Sequence, residues 1–353
     1  MHARPDRRPR GNPLLAAATI LAVVLAACPA PRAEEADWPR VLADLAAQAE
    51  AAGTTVVRGR QGWLFFAPEL RHLSAGRFWG AAAAGASRAP DPAAADPLPA
   101  ILDFRDQLRD LGVELLFVPV PAKAAVYSEM LPAGGGGDAI DAADRAFLEE
   151  LRRHGVAVLD LGALFRAEKA SGPPLYCRQD THWSPRACEL TARRIAATVA
   201  DRPWLAAVAK EAFEVRRETV EIRGDLWRQL PEPRPPRERL EVAVVGRQTA
   251  AGLEPVTPSR TSPVLLLGDS HTLVFHAGGD LHARGAGLAD HLARELGFAV
   301  DLLGVRGSGA TPARVSLLRR GDGLAGKKLV IWCLSVREYT EGQGWRKVPV
   351  TRR

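Results

Sequence analysis

The chain of 353 residues has little cysteine, methionine or tyrosine: four, two and three residues respectively. So few cysteines exclude a disulfide-dense secreted scaffold. No second Cys/His pair sits at ligand spacing, so a structural zinc site is not expected. Beyond residue 27 no apolar run is long enough to cross a bilayer, and no internal repeat marks a solenoid or propeller. What is present is ordinary: 47% hydrophobic and 25% charged residues, enough for one sizeable core or two modest ones.

One stretch stands apart. His2, Arg4, Arg7, Arg8 and Arg10 precede the uncharged run Leu14 to Ala27, which is short for a membrane span and built like a signal peptide. It ends in Leu25-Ala26-Ala27-Cys28, which resembles a bacterial lipobox. Residues 1–27 are therefore expected to be removed, with Cys28 lipidated and the protein anchored in the periplasm. A plain signal peptide cut near Ala30 or Ala33, or an uncleaved anchor, are the alternatives. Residues 1–27 carry four arginines and one aspartate, so without them the net charge of +6 falls to +3. The basic character is thus partly an export feature, and no nucleic-acid partner is expected. An oxidising compartment permits one disulfide among Cys177, Cys188 and Cys333, with Cys177–Cys188 stapling a segment of interest below. Three small buried thiols are the equal alternative.

Trp38 to Ala52 has helical spacing, and Gly59 to Phe66 reads as a turn feeding a bulky strand. Residues 81–98 read as a low-complexity mobile loop. An α/β rhythm then begins. Helices are predicted over Ile101 to Leu111 and Asp138 to His154. The buried strands are Val113 to Val120, Val156 to Leu161, Val264 to Leu267, Phe298 to Leu303 and Leu329 to Leu334. Ser184-Pro185 should cap and open a helix to about Val199, and Leu288 to Leu296 is helical. Residues 211–246, with a proline-rich stretch at 231–236, read as an insertion. The fold class is α/β, three layers around a mainly parallel sheet.

Leu265-Leu266-Leu267-Gly268-Asp269-Ser270 ends a strand in glycine, acid and serine. Ligands of parallel sheets bind beyond the carboxyl ends of their strands, so Ser270 is placed at the functional edge as a candidate nucleophile. A helix is expected just beyond it. Upstream, Asp180-Thr181-His182-Trp183 puts the carboxylate and imidazole two residues apart, on one side of an extended segment. His182 would take the serine proton and Asp180 would orient it, while Trp183 faces away. The bland alternatives are a capping role for Ser270 and for Asp180, or a metal pair lacking an evident third ligand. His271 either lines the site or is a polar neighbour. His276, His282 and His291 read as surface groups, and His72 and His154 have no chemical company. Gly304 to Gly309 follows a strand; Gly307 or Gly309 would suit a second oxyanion donor, with Arg306 beside them. Lys123, Tyr127, Arg337 and Tyr339 also follow strand ends and should face the same edge. No cofactor and no metal is called for.

Four pieces in order carry a resemblance: Gly59 to Phe65 (G-x-x-G-W-L-F), Pro121 to Tyr127 (P-x-K-x-x-x-Y), Asp180 to Trp183 (D-x-H-W), and Gly268 to Ser270 (G-x-S). Together they resemble the alginate O-acetyltransferase family, AlgJ- and AlgX-like, with its SGNH-hydrolase-like, DHHW-type domain. The likeness spans roughly residues 55–340. Ordinary SGNH hydrolases place the serine first; here Asp-x-His precedes it, as in this family's circularly permuted order. The resemblance implies Ser270 as nucleophile, His182 as base and Asp180 as its orienting partner. It also implies acetyl as the group moved, an exopolysaccharide such as alginate as acceptor, a membrane-bound O-acyltransferase as acetyl supplier, and other export subunits as partners. The Gly-Asp-Ser triplet is nearer the ordinary hydrolase signature than the Gly-Thr-Ser of several alginate members, and no carbohydrate-binding module is expected after the domain. A secreted carbohydrate esterase and a non-catalytic polysaccharide-binding subunit are the competing readings.

Overall fold

A computed structural model describes residues 37–351; the export segment and Cys28 lie outside the described residues. Five parallel strands form the central sheet in the order β4-β3-β10-β8-β9. They are β3 (Glu114–Val120), β4 (Ala157–Val158), β8 (Val264–Gly268), β9 (Asp301–Gly304) and β10 (Leu329–Ser335). The three central strands are the continuous apolar runs of the sequence. Every residue of β8 and β10 is buried, which requires cover on both faces of the sheet. Trp332 of β10 fills the middle, edge-on to Phe104 and Phe117 with ring centroids 5.0 and 5.3 Å away. Register then sets the working edge: Ser335 pairs with Val120 on one side of β10, and Cys333 pairs with Gly268 on the other. The chain thus leaves β3, β8 and β10 at one end of the sheet.

A hairpin of β1 (Val56–Arg58) and β2 (Leu64–Phe66) precedes the sheet. A second, antiparallel sheet of β5 (Glu214–Glu221), β6 (Arg239–Thr249) and β7 (Gly252–Pro255) interrupts the parallel rhythm. The inserted segment is therefore a built layer running to residue 255. Val242 and Val244 join the main core, and Val245 N donates to Gly285 O at 2.7 Å.

Two expectations need correcting. The stretch 156–161 gives a two-residue edge strand, because Asp160 caps a new helix, Leu161–Glu168, by accepting from Ala163 N. Residues 81–98 are a series of short helical turns. Asp91 caps one of them ahead of Pro92, Asp96 caps the following helix Pro97–Asp110, and Ala83, Ala94 and Ala95 are buried. Trp345 N ties this stretch down by donating to Ala94 O at 2.6 Å. No helix among the described residues is long and apolar enough to cross a membrane.

Candidate active site

Ser270 is the second residue beyond the end of β8 at Gly268. Gly268 is required there, since a Cβ would sit 1.8 Å from the Cys333 carbonyl oxygen. The acid of the triplet then shapes the turn. Asp269 is fully buried; its Oδ1 accepts from His271 N (2.8 Å) and Nδ1 (3.1 Å), and its Oδ2 accepts from Ser335 N (2.8 Å). Burial alone would raise its pKa, but these donors and Arg337 hold it well below the usual carboxylate range. The expected α-helix does not follow. Ser270–Thr272 is a single 3₁₀ turn, and the next long helix starts only at Leu288. Any oxyanion donors must therefore come from the turn and neighbouring loops.

Ser270 Oγ donates to His182 Nε2 at 2.8 Å, and His182 Nδ1 donates to Asp180 Oδ1 at 2.6 Å. The 180–182 spacing does what the extended reading predicts, and His182 N donates to the same oxygen at 3.0 Å. Asp180 caps no helix; Ser184 caps Pro185–Val199 by accepting from Ala187 N. Trp183 points the other way, fully buried and edge-on to His271 at 5.5 Å. Burial lowers the His182 pKa, but the Asp180 carboxylate outweighs it and leaves the imidazole above its ordinary value. For Asp180 burial acts upward, yet His182 and then His282 hold it well below the carboxylate range.

The inserted layer clasps this segment. Glu238 accepts from Arg178 N (3.0 Å) and Gln179 N (3.1 Å), and Trp227 N donates to Gln179 O (3.0 Å). Asp225 accepts from Thr181 N at 2.8 Å, while its own N donates to Asp180 Oδ2 at 2.8 Å. Asp225 also supplies the third ligand type that sequence reasoning did not find: donor atoms of Asp180, His182 and Asp225 lie within 4.8 Å of one another. Those atoms are already joined to protein partners, Asp180 to His182 and Asp225 to Thr181. The arrangement is that of a hydrogen-bonded relay, and a cation would have to displace it.

An open hollow of about 180 Å³ exposes the relay, with Ser270, His182, His282, Asp225 and Gly307 on its wall. Gly307 has φ +86°, a conformation glycine adopts without strain. Gly309 stands behind the wall: a Cβ there would meet Leu334 and the Asp269 backbone, and its carbonyl accepts from Trp332 Nε1. Arg306 is at the rim, paired with Asp280 at 3.0 Å.

The other predicted residues are placed differently. Lys123 is fully buried and holds no ligand; its ammonium donates to Leu64 O (2.8 Å) and to the Asp180 carbonyl (2.5 Å). Tyr127 is buried too, its hydroxyl accepting from Leu175 N. Arg337 packs over Phe66, donates to Ser335 Oγ and lies 3.5 Å from Glu69, while Tyr339 is core. Several histidines are also corrected. His282 donates to Asp180 Oδ2 at 3.0 Å, His276 pairs with Asp290 at 2.9 Å and His291 is buried. His72 lies between Thr340 and Asp144. His271 is the expected neighbour of the site, buried against Asp269 with its ring 4.8 Å from that of His182. Cys177, Cys188 and Cys333 are free buried thiols.

A parallel sheet with a serine at a central strand end and an Asp-x-His segment preceding it in the chain defines an SGNH-hydrolase-like protein with permuted order. The family match is more specific: the profile of the SGNH hydrolase-like domain, acetyltransferase AlgX, covers residues 56–336, and the chain belongs to that family. It is similar to the probable alginate O-acetylase AlgJ of Pseudomonas putida, 31% identical over 176 residues, covering 50% of this chain and 42% of that protein. The solved O-acetyltransferase domain of P. putida AlgJ superposes with a TM-score of 0.60 at 26% identity, covering 80% of this chain and 91% of that domain. Pseudomonas aeruginosa AlgX shares the fold, with a TM-score of 0.59 at 19% identity over 79% of this chain and 62% of AlgX. The chain spans about half the length of the curated relatives it matches.

Proposed function

We propose that this protein is a periplasmic O-acetyltransferase that moves acetyl through Ser270 to a hydroxyl of an exopolysaccharide resembling alginate. The observation that carries the reading is the unbroken relay from Ser270 Oγ through His182 to Asp180, with contacts of 2.8 and 2.6 Å opening on the hollow. His182 Nε2 takes the serine proton as Oγ attacks the acetyl carbonyl. The donor's acyl bond breaks, and its leaving group collects that proton. His182 then deprotonates the sugar hydroxyl, the sugar oxygen attacks the acyl-serine, and Ser270 Oγ recovers its proton. Gly307 beside the serine fits a donor to the transient oxyanion. A membrane-bound O-acyltransferase is the proposed acetyl supplier, and Cys28 the proposed lipid anchor. Cys28→Ser should release the protein from the membrane fraction or block its processing; wild-type protein found wholly soluble and starting after Cys28 would sink the anchor.

The test of the activity is incubation with a chromogenic acetyl ester, with and without an oligouronate acceptor, followed by mass spectrometry of both. One acetyl should appear on the wild type and none on Ser270→Ala, with acetylated oligouronate as product. Labelling that persists in Ser270→Ala would remove the serine from the reaction. Acyl-enzyme that decays to acetate alone would make the protein an esterase.

A further inference from the structure

Asp180 has two imidazoles, and the reaction above uses one. Four donors converge on this buried carboxylate. The inner oxygen, Oδ1, accepts from His182 Nδ1 and His182 N; the outer oxygen, Oδ2, accepts from Asp225 N at 2.8 Å and His282 Nε2 at 3.0 Å. Since the carboxylate offers no proton, His282 carries the hydrogen on Nε2.

His282 is brought there at a cost to the backbone. It adopts φ +78° and ψ −64° at the centre of a γ-turn closed by Ala283 N donating to Leu281 O at 3.1 Å, a rare geometry that strains any residue bearing a side chain. Glycines stand at 278, 279, 285 and 287, yet the strained position itself holds histidine. The loop is locked around it: Phe275 N donates to Leu281 O, Gly278 N to Ala283 O and Ala286 N to Phe275 O, each at 2.8–2.9 Å. The Phe275 ring packs on the imidazole with centroids 5.5 Å apart, leaving the His282 side chain 4% exposed. Other charged groups share the hollow: His182, Asp225, Arg228, Asp280 and Arg306. Arg306 is paired with Asp280 and the Asp225 carboxylate with Thr181, so among the described residues only His282 and the Asp225 N–H meet the outer oxygen.

We infer that His282 is a positioning residue for acyl transfer: it pins the outer oxygen of Asp180 so that the inner one stays aligned on His182. This rests on the acyl-serine reading. When His182 gains the serine proton, the attraction between imidazolium and carboxylate depends on that alignment. Without His282 the outer oxygen keeps only the Asp225 N–H, so the carboxylate can tilt about its Cβ–Cγ bond and the relay loosens in the state where it is needed. The loosened Asp180 then stabilises the protonated His182 less, so the base stays unprotonated down to a lower pH.

The experiment compares the wild type with His282→Gly, His282→Gln and His282→Leu in the full chain, following a chromogenic acetyl ester across pH. His282→Gly removes the donor and relieves the backbone, so thermal stability is retained. Its kcat should fall by about ten- to a hundredfold with KM little changed, by analogy with the loss of outer partners that orient metal-bound histidines. The acid limb of its pH profile should move to lower pH. His282→Gln keeps an uncharged N–H donor and should recover most of the rate, while His282→Leu, of similar bulk and without a donor, should not. A His282→Gly enzyme with unchanged kcat and unchanged acid limb overturns the inference. If that variant does not fold, a Leu variant as active as the Gln variant does the same. Ser270→Ala in the same assay separates the two ideas. Persistent labelling in Ser270→Ala defeats the acyl-serine reading, whereas its loss beside silent His282 variants defeats only the role of His282.

Discussion

Gly224 lies flat against Gln179: a Cβ at position 224 would sit 2.0 Å from the Gln179 carbonyl oxygen and 3.1 Å from Asp180 N. That close approach lets the next residue, Asp225, present its N–H to Asp180 and its carboxylate to Thr181. Neither backbone can yield without moving the relay. Gly224→Ala is therefore expected to cost about 1–3 kcal/mol of stability, as overpacked buried sites do. It should also cut the turnover of the enzyme that remains folded. Melting and turnover on one preparation check this; normal turnover of the folded variant would mean that the loop moves independently of Asp180.

Asp180→Asn should leave the fold standing and slow acyl transfer by orders of magnitude, about 10⁴-fold by comparison with the best-studied triad. The amide nitrogen cannot accept from Nδ1, and the imidazole is pushed towards the wrong tautomer. The double variant with His182→Ala should be little worse than either single one, because the pair acts as a unit. Additive losses would show that the two residues act separately.

Acyl transfer should rise with pH as His182 loses its proton. The Asp180 carboxylate favours the imidazolium, so the midpoint should lie above the ordinary imidazole value of about 6.5. A profile with its midpoint below that value would contradict the dominance of the carboxylate over burial.

Glu338 offers a stability test apart from catalysis. It is buried and accepts from Ser308 Oγ between Gly307 and Gly309, and burial pushes its pKa up to about 7. The folded state thus holds this proton more tightly than the unfolded chain, where the group titrates near 4.5. The contribution is fully present below that lower value and is lost as pH rises through about 7, a change of order 3 kcal/mol. Glu338→Gln should flatten the fall in melting temperature between pH 5 and pH 8. Parallel curves for the two proteins would rule out Glu338 as its source.

Part of the site is readable in the chain because its geometry is local. The strand-end Gly268-Asp269-Ser270 and the two-residue spacing of Asp180 and His182 need only the period of an extended segment. The five parallel strands are readable because each central one is an unbroken apolar run. His282 reads as a surface group because its partner is 102 residues away, reached through a turn that the pattern does not announce. Asp225 and Glu238 escaped notice for the same reason, as residues of an inserted layer 45–60 positions from what they hold. Lys123 misled because a lysine at a strand end is ordinarily solvated; here two buried carbonyls, from Leu64 and Asp180, accept its protons. The helix expected after Ser270 fails because Asp269 caps only a single turn, and Gly278 and Gly279 soon follow.

The division of labour between the two sheets has a consequence for durability. The nucleophile hangs from the parallel sheet, whereas the segment bearing the base and its carboxylate is clasped by residues of the antiparallel layer, Asp225, Trp227 and Glu238. That layer exposes most of β5 to solvent and joins the body through the buried stretch of β6, residues 242–246. Proteins open in pieces, the least packed first. Warming or mild denaturant should therefore silence the enzyme before the bulk of its secondary structure melts, leaving an intact body with a disengaged base. Activity and global unfolding would then report two different temperatures, and the gap between them would measure the grip of the inserted layer.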